Sequence, residues 1–315
     1  MHSHSRAKGL LASFALIAAL TGCAASSTAA DTADSPETPE SLVFAQVPSE
    51  SAEDIAEDNA AIVAAIEQAT GLDVEIQQVT SYAAVIEGLR AGQIQLASMG
   101  PFSYMVAKDG GAGIEALGTL VDDLEEKPGY QSYGIVPAGS DITDLAGFAG
   151  KTVCFVDPTS TSGFLYPSAG LLDLGIDPED DVTAVFAGGH DASALAVADG
   201  TCDAGFAYDT MVTEQLIDSG SLNEGDLDIV WKSEIIAGSP FVVSDKLPAD
   251  LLTQLHELFA TELNIPALVE SGVCTTATDC GLPESAEYGF IPVEDSFYDG
   301  VRAVCATTKA AACNV

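Results

Sequence analysis

Positive charge is scarce in this chain. Ten Lys and Arg residues stand against 48 Asp and Glu over 315 positions, a formal net charge of −38. None of the ten lies between Thr152 and Trp231. A surface so acidic repels phosphodiester backbones and anionic lipid, which excludes nucleic acid and anionic membrane surfaces as partners. Acidity on this scale reads as a solvated surface and does not bear on the fold. Other absences narrow the chemistry. There is no Gly-x-x-x-x-Gly-Lys loop, and no Gly-x-Gly-x-x-Gly follows the first strand-like run, so the usual phosphate cradles of nucleotide-binding proteins are missing. No Gly-x-Ser-x-Gly elbow is present, and the order Ser162, His190, Asp209 departs from the Ser, Asp, His order of α/β-hydrolases. A hydrolase built on these three residues is therefore disfavoured. No Cys-x-x-Cys pair or Cys/His cluster suggests zinc, and neither a metal nor a cofactor is expected.

The N-terminal apolar run "LLASFALIAAL" follows Arg6 and Lys8 and is shorter than the ~20 residues that cross a bilayer. It reads as a secretion signal over residues 1–22. Cys23 closes "LTGC", which resembles the lipobox of bacterial lipoproteins, so cleavage before Cys23 and lipidation of its thiol are expected. Loss of Arg6 and Lys8 leaves eight basic residues and a net charge of −40. Residues 23–40, rich in Ala, Ser, Thr, Pro and acid, have little to bury and read as a flexible tether. The expected location is the extracytoplasmic face of the cell membrane, held there only through the lipid.

Six further cysteines, at 154, 202, 274, 280, 305 and 313, form an even set in an oxidising compartment, which suggests disulfides. Cys154 in "TVCFV" and Cys202 in "TCDAGFAY" both lie in strand-like runs, and a bridge between neighbouring strands is expected there. Cys274 with Cys280 and Cys305 with Cys313 are the economical pairs for the rest; sequence alone leaves that connectivity open.

From Ser41 onward, short β-branched or apolar runs alternate with segments of helical period, and the rhythm resumes after Gly150. This alternation predicts an α/β protein with parallel sheets. About 275 ordered residues exceed one comfortable core, so two α/β lobes are expected. The strand-like "QSYGIVP" (131–137) and "SPFVVS" (239–244) read as crossovers. They divide the chain into one lobe of 41–133 plus 239–315 and a second of 134–238. The Cys-rich stretch after Leu263 is expected to pack on the first lobe as short helices and loops.

Small and hydroxyl residues follow several strand-like runs: "VPSES", "VTSY", "SMGPFSY", "DPTSTSG" and "AGGHDA". Open parallel sheets present their ligands at such ends. Thr159 to Ser162, directly before a glycine and an apolar run, admit two readings. They cap a helix, or they form a cradle in which hydroxyls and unpaired backbone N–H groups hold an anion.

The order of these motifs resembles the phosphate, phosphite and phosphonate substrate-binding proteins of ABC transporters. The resemblance is carried by "SYAAVIEGLRAGQIQLASMGPFSY", "KPGYQSYGIV", "DPTSTSGFLYP", "GGHDASALAVADGTCDAGFAY" and "VWKSEIIAGSPFVV", from about Val43 to Leu263. It implies a two-lobed periplasmic-binding-protein fold of type II, with Rossmann-like lobes that close on a small phosphorus oxyanion and deliver it to an ABC permease. It further implies that Ser160, Thr161 and Ser162 grip the phosphonate oxygens and that His190 donates to the same group. Tyr82 and Tyr130 face it from the first lobe, and Asp209 lies near the ligand's substituent. Tyr82 also reads as core, Tyr130 as a brace of the crossover and Asp209 as an N-cap. Aminophosphonate binders carry an acid in the segment that here reads "AGSPF"; Ser239 in its place tilts the expected ligand toward phosphite, phosphate or a small alkylphosphonate. A monomer is expected. A lipoprotein of the same fold that reports ligand to a signalling partner is the alternative to transport.

Overall fold

The computed structural model describes residues 37–48, 52–125, 127–283 and 286–314. The expected signal, Cys23 and nearly all of the tether lie outside the described residues, as do residues 49–51 of the loop "VPSES". In chain order the strands are β1 (Ser41–Gln46), β2 (Asp73–Ile76), β3 (Leu96–Ser98), β4 (Ile114–Val121), β5 (Gly129–Tyr130), β6 (Ser132–Pro137) and β7 (Thr152–Phe155). They continue with β8 (Thr183–Phe186), β9 (Ala204–Tyr208), β10 (Leu227–Lys232), β11 (Ile236–Ala237), β12 (Pro240–Ser244) and β13 (Gly289–Ile291). One sheet has the order β13-β4-β12-β3-β1-β2 and a second β10-β6-β9-β7-β8.

The alternating pattern anticipated parallel pairing, and β1 with β2 and β3, and β7 with β8 and β9, are parallel. Both sheets are nevertheless mixed. Strand β12 inserts antiparallel between β3 and β4, and β6 pairs antiparallel with β9 and β10. Strands β9 and β12 are buried along their whole length. Their near-continuous apolar character is what coverage of both faces of a sheet demands.

The two segments read as crossovers turn out to lie inside the sheets, as β6 and β12. The chain passes between the sheets one step earlier, at β5 and β11, which pair antiparallel through Tyr130 with Ile236 and Gly129 with Ala237. Two strands of two residues give a narrow connection. Short apolar segments in sequence do not distinguish a connecting ladder from the first rung of a sheet.

Residues 263–283 and 286–290 pack on the first sheet, with Leu263, Leu268, Leu282 and Phe290 in one core with Leu42 and Phe44. The final helix, Asp299–Thr308, differs from expectation. It packs on both the helix Pro101–Asp109 beside the first sheet and the helix Tyr166–Asp173 beside the second. Its buried Val301 and Cys305, one helical turn apart, make the stripe that reaches both. Disulfides join Cys154 to Cys202, Cys274 to Cys280 and Cys305 to Cys313. Cys154 lies on β7 and Cys202 in the turn that enters β9, with Cα atoms 5.8 Å apart. The first bridge thus fastens two neighbouring parallel strands. Among the described residues no helix is long and apolar enough to cross a membrane.

Candidate functional site

The carboxyl ends of β1, β3, β7 and β9 converge on a cavity of about 250 Å³. All seven residues singled out from the sequence, Tyr82, Tyr130, Ser160, Thr161, Ser162, His190 and Asp209, line it. Tyr82 opens the helix Tyr82–Ala91, which is capped by Ser81 through its acceptance of the Ala84 N–H at 3.2 Å. Tyr130 ends β5, and Asp209 follows β9.

Ser160, Thr161 and Ser162 are all buried. They begin a helix that opens with a wide turn of i to i+5 hydrogen bonds, the Leu165 N–H donating to the Ser160 carbonyl at 3.0 Å, before Tyr166–Asp173 continues it. Such wide turns recur at functional sites. The first N–H groups of a helix lack intrahelical acceptors, so the amides of Thr161 and Ser162 carry the partial positive charge of the terminus toward the cavity. The three hydroxyls serve different ends. Ser160 Oγ accepts from the Gly163 N–H at 3.0 Å and so caps the helix. Thr161 Oγ1 accepts from the Phe102 N–H at 2.8 Å. Ser162 Oγ has no hydrogen-bond partner among the described residues. Capping by Ser160 therefore does not preclude a cradle, because the Ser162 hydroxyl has no partner among the described residues.

His190 is 4 % exposed and stands at the first position of the helix His190–Ala198. Ser193 holds that helix to the sheet by donating to the Phe206 carbonyl at 2.9 Å. The Nδ1 of His190 accepts the Tyr208 N–H at 3.2 Å, which assigns the proton of the neutral ring to Nε2. Burial drives the imidazole pKa down to about 3. Nε2, 3.4 Å from Ser160 Oγ, is accordingly a neutral donor and not a base. The geometry differs from a Ser-His-Asp triad at the histidine's Nδ1, which a backbone amide and not a carboxylate faces. Asp209 instead accepts from the Gln131 N–H at 3.0 Å and the Thr210 N–H at 3.1 Å, fastening the end of β9 to the start of β6. Burial raises the Asp209 pKa, opposed by the Gln131 amide. Among the described residues it makes no N-cap bond to the second or third helical residue that follows.

Lys127 is the one cation among the described lining residues, and it is exposed at the rim. Asp122 and Asp209 also line the cavity. Attraction for an anion there rests on oriented N–H and O–H dipoles in a low-dielectric pocket, where hydrogen bonds to a charged oxygen are stronger than neutral ones. Sequence reasoning did not single out Gln46, Ser98, Lys127 or Tyr208 as lining residues. Ser98 lay within the quoted loop "SMGPFSY", which was the available signal for it.

The family model described as the periplasmic substrate-binding protein of phosphonate ABC transporters matches residues 44–264. The chain is 45% identical over 283 residues to the phosphate-import protein PhnD of Mycolicibacterium smegmatis, covering 87% of this chain and 88% of that one. It is 28% identical to the phosphonates-binding periplasmic protein of Escherichia coli, covering 74% and 69% of the two chains. Among solved structures, the binding component of a Pseudomonas aeruginosa ABC phosphonate transporter superposes with a TM-score of 0.73 at 24% identity, covering 88% of this chain and 87% of that one. PhnD1 of Prochlorococcus marinus, solved with methylphosphonate, superposes with a TM-score of 0.72 at 18% identity, covering 87% and 100%. These likenesses identify the fold as the type II periplasmic-binding-protein fold, with two Rossmann-like lobes. The chain belongs to the family of periplasmic substrate-binding proteins of phosphonate ABC transporters.

Proposed function

We propose that this protein captures phosphite, phosphate or a small alkylphosphonate between its lobes and hands it to the permease, while a lipid on Cys23 holds it at the extracytoplasmic face as a monomer. The observation that carries the reading is the convergence on one cavity of Thr161, Ser162 and His190, which bring two helix-terminal amides, the Ser162 hydroxyl and a neutral Nε2–H. Four neutral donors suit a tetrahedral oxyanion and do not require a buried cation. Tyr82 and Tyr130 close the cradle from the other lobe. In this reading the expected division after residue 133 moves back to the start of β6, so that residues 41–131 with 239–315 move as one lobe against 132–238, about the ladder of β5 and β11, with the final helix seated against both. The phosphate named for the mycobacterial relative and the methylphosphonate bound to the Prochlorococcus neighbour support the ligand class.

Calorimetry with phosphite, phosphate, methylphosphonate, aminoethylphosphonate and sulfate tests it. Saturable 1:1 binding of at least one phosphorus oxyanion without a primary amine, tighter than aminoethylphosphonate or sulfate, is expected. Equal or tighter binding of sulfate, or no binding of any phosphorus oxyanion, would overturn it. Lipid attachment is checked separately by mass spectrometry of the N-terminal peptide from cells.

A further inference from the structure

Beside the main cavity lies a smaller chamber of about 80 Å³ that shares Ser98, Tyr130 and Ser239 with it. Its described lining holds no charged residue. It does hold unmatched polar groups. Asn59 and Thr119, each 1 % exposed, line it, and Asn59 Oδ1 and Thr119 Oγ1 are buried with no hydrogen-bond partner among the described residues. The amide of Asn59 is fixed in orientation, because its Nδ2 donates to Gln46 Oε1 at 3.0 Å and to the Ile55 carbonyl at 2.9 Å. Both of its hydrogens are thereby committed, which leaves Oδ1 as an acceptor only. Thr119 Oγ1 sits so close to Gly238 that a Cβ there would lie 2.4 Å from it. A glycine at 238 is what lets the backbone pass that hydroxyl. At the junction of the two cavities, the hydroxyls of Ser98 and Ser239 also have no partner among the described residues.

An unmatched acceptor in a buried site disfavours a purely apolar occupant, since each such group left unpaired costs ~1–3 kcal/mol. A carboxylate-free lining equally disfavours an ammonium group, whose burial without a counter-charge costs more than that of a neutral donor. What satisfies both conditions is a neutral group that donates one hydrogen bond and accepts another. We infer that the chamber built on Asn59, Thr119, Ser98 and Ser239 is a substituent subsite that selects phosphonates bearing a short hydroxyalkyl group, the phosphonate itself resting in the main cavity. The hydroxyl donates to Asn59 Oδ1 and accepts from Thr119 Oγ1. This inference rests on the oxyanion reading of the main cavity.

The test is calorimetry on the purified protein with two matched pairs, hydroxymethylphosphonate against methylphosphonate and 2-hydroxyethylphosphonate against ethylphosphonate, together with aminomethylphosphonate. In at least one pair the hydroxyl compound should bind about tenfold more tightly than its alkyl partner, and the amino compound should bind more weakly than methylphosphonate. Thr119→Val should abolish the hydroxyl preference and leave methylphosphonate affinity within about twofold. If the alkyl compounds bind but neither hydroxyl compound gains, or the amino compound is preferred, or the preference survives in Thr119→Val, the subsite is overturned while the oxyanion cradle stands. If none of the phosphonates binds while phosphate or phosphite does, the subsite is overturned and the oxyanion cradle stands; if no phosphorus oxyanion binds, both readings fall together. The ligand series on the unmodified protein decides the matter even should Thr119→Val not fold.

Discussion

The Oγ1 of Thr161 accepts a hydrogen bond of 2.8 Å from the backbone N–H of Phe102, so a residue at the start of one lobe's helix caps a helix of the other. The helix Pro101–Asp109 has Gly100 at its N-cap, with no side chain to satisfy its own first amides. A Cβ at Gly100 would lie 3.1 Å from Thr161 Oγ1, so the missing side chain is also what admits the foreign hydroxyl. The residue that joins the two helices thereby also stands in the wall of the main cavity. Thr161→Ala should weaken binding and widen the ligand-free protein, whereas Thr161→Ser, which keeps the oxygen, should restore both. Small-angle scattering with and without ligand, together with calorimetry, reads the two effects; unchanged scattering and affinity in Thr161→Ala would remove Thr161 from closure and from the site.

Ser160 and Ser162 should separate stability from affinity. Ser160 Oγ caps the helix through Gly163, so Ser160→Ala is expected to cost about 1 kcal/mol of stability as well as affinity. Ser162 Oγ has no partner to lose among the described residues. Ser162→Ala should leave the urea midpoint in place yet weaken the best ligand by roughly 1.5–3 kcal/mol, about ten- to a hundredfold.

His190 should not titrate across neutral pH. Its pKa lies near 3 in the folded protein and near 6.5 when unfolded. Between those values the unfolded chain binds the extra proton, so the residue costs stability as the pH falls through 6.5 toward 3 and costs nothing above that window. Nitrogen chemical shifts are expected to report the neutral Nε2–H form at pH 5–8. Replacing His190 with Asn should flatten the loss of stability between pH 6 and 4 relative to the wild type, when urea midpoints are compared at each pH. A wild-type imidazole that protonates near pH 6.5 would contradict the donor assignment.

The Cys154–Cys202 bridge closes a loop over a sequence separation of 48. In the chain-entropy account such a loop contributes on the order of 4 kcal/mol. The double variant Cys154→Ala/Cys202→Ala should lower the denaturation free energy by about that amount, less any gain from relaxed packing. Peptide mapping of the non-reduced protein that finds either thiol free would refute the bridge.

Affinity should depend only weakly on salt, because the donors are short-ranged and shielded within the cavity, while Lys127 at the rim is the one lining cation among the described residues. Calorimetry at ~0.05 and ~0.5 M sodium chloride checks this. A steep loss would shift the main attraction to Lys127, and Lys127→Gln would then reproduce it.

The alternating apolar runs and helical segments were sufficient to anticipate the α/β class, because period and turn residues are local properties of the chain, and chain length added the expectation of two lobes. The same locality made legible the hydroxyl run at 160–162, the Gly-Gly before His190 and the convergence of loop residues at strand ends. Family resemblance added Tyr82, Tyr130 and Asp209, all of which line the cavity. Pairing between strands is not local. Strands β6 and β12 carry the same apolar signature whether they connect the lobes or sit within a sheet, and only their hydrogen-bonded neighbours distinguish the two. The final helix reaches both lobes because Val301 and Cys305 fall on one face, and what that face meets depends on where two distant helices lie. Hydrogen-bond partners are equally a matter of tertiary arrangement. Residue type made Thr161 a donor or an acceptor and His190 an acid, a base or neither. Folding chose between these by bringing the Phe102 amide to Thr161 and the Tyr208 amide to Nδ1 of His190, since a hydrogen bond is decided by which groups burial leaves within hydrogen-bonding distance of each other.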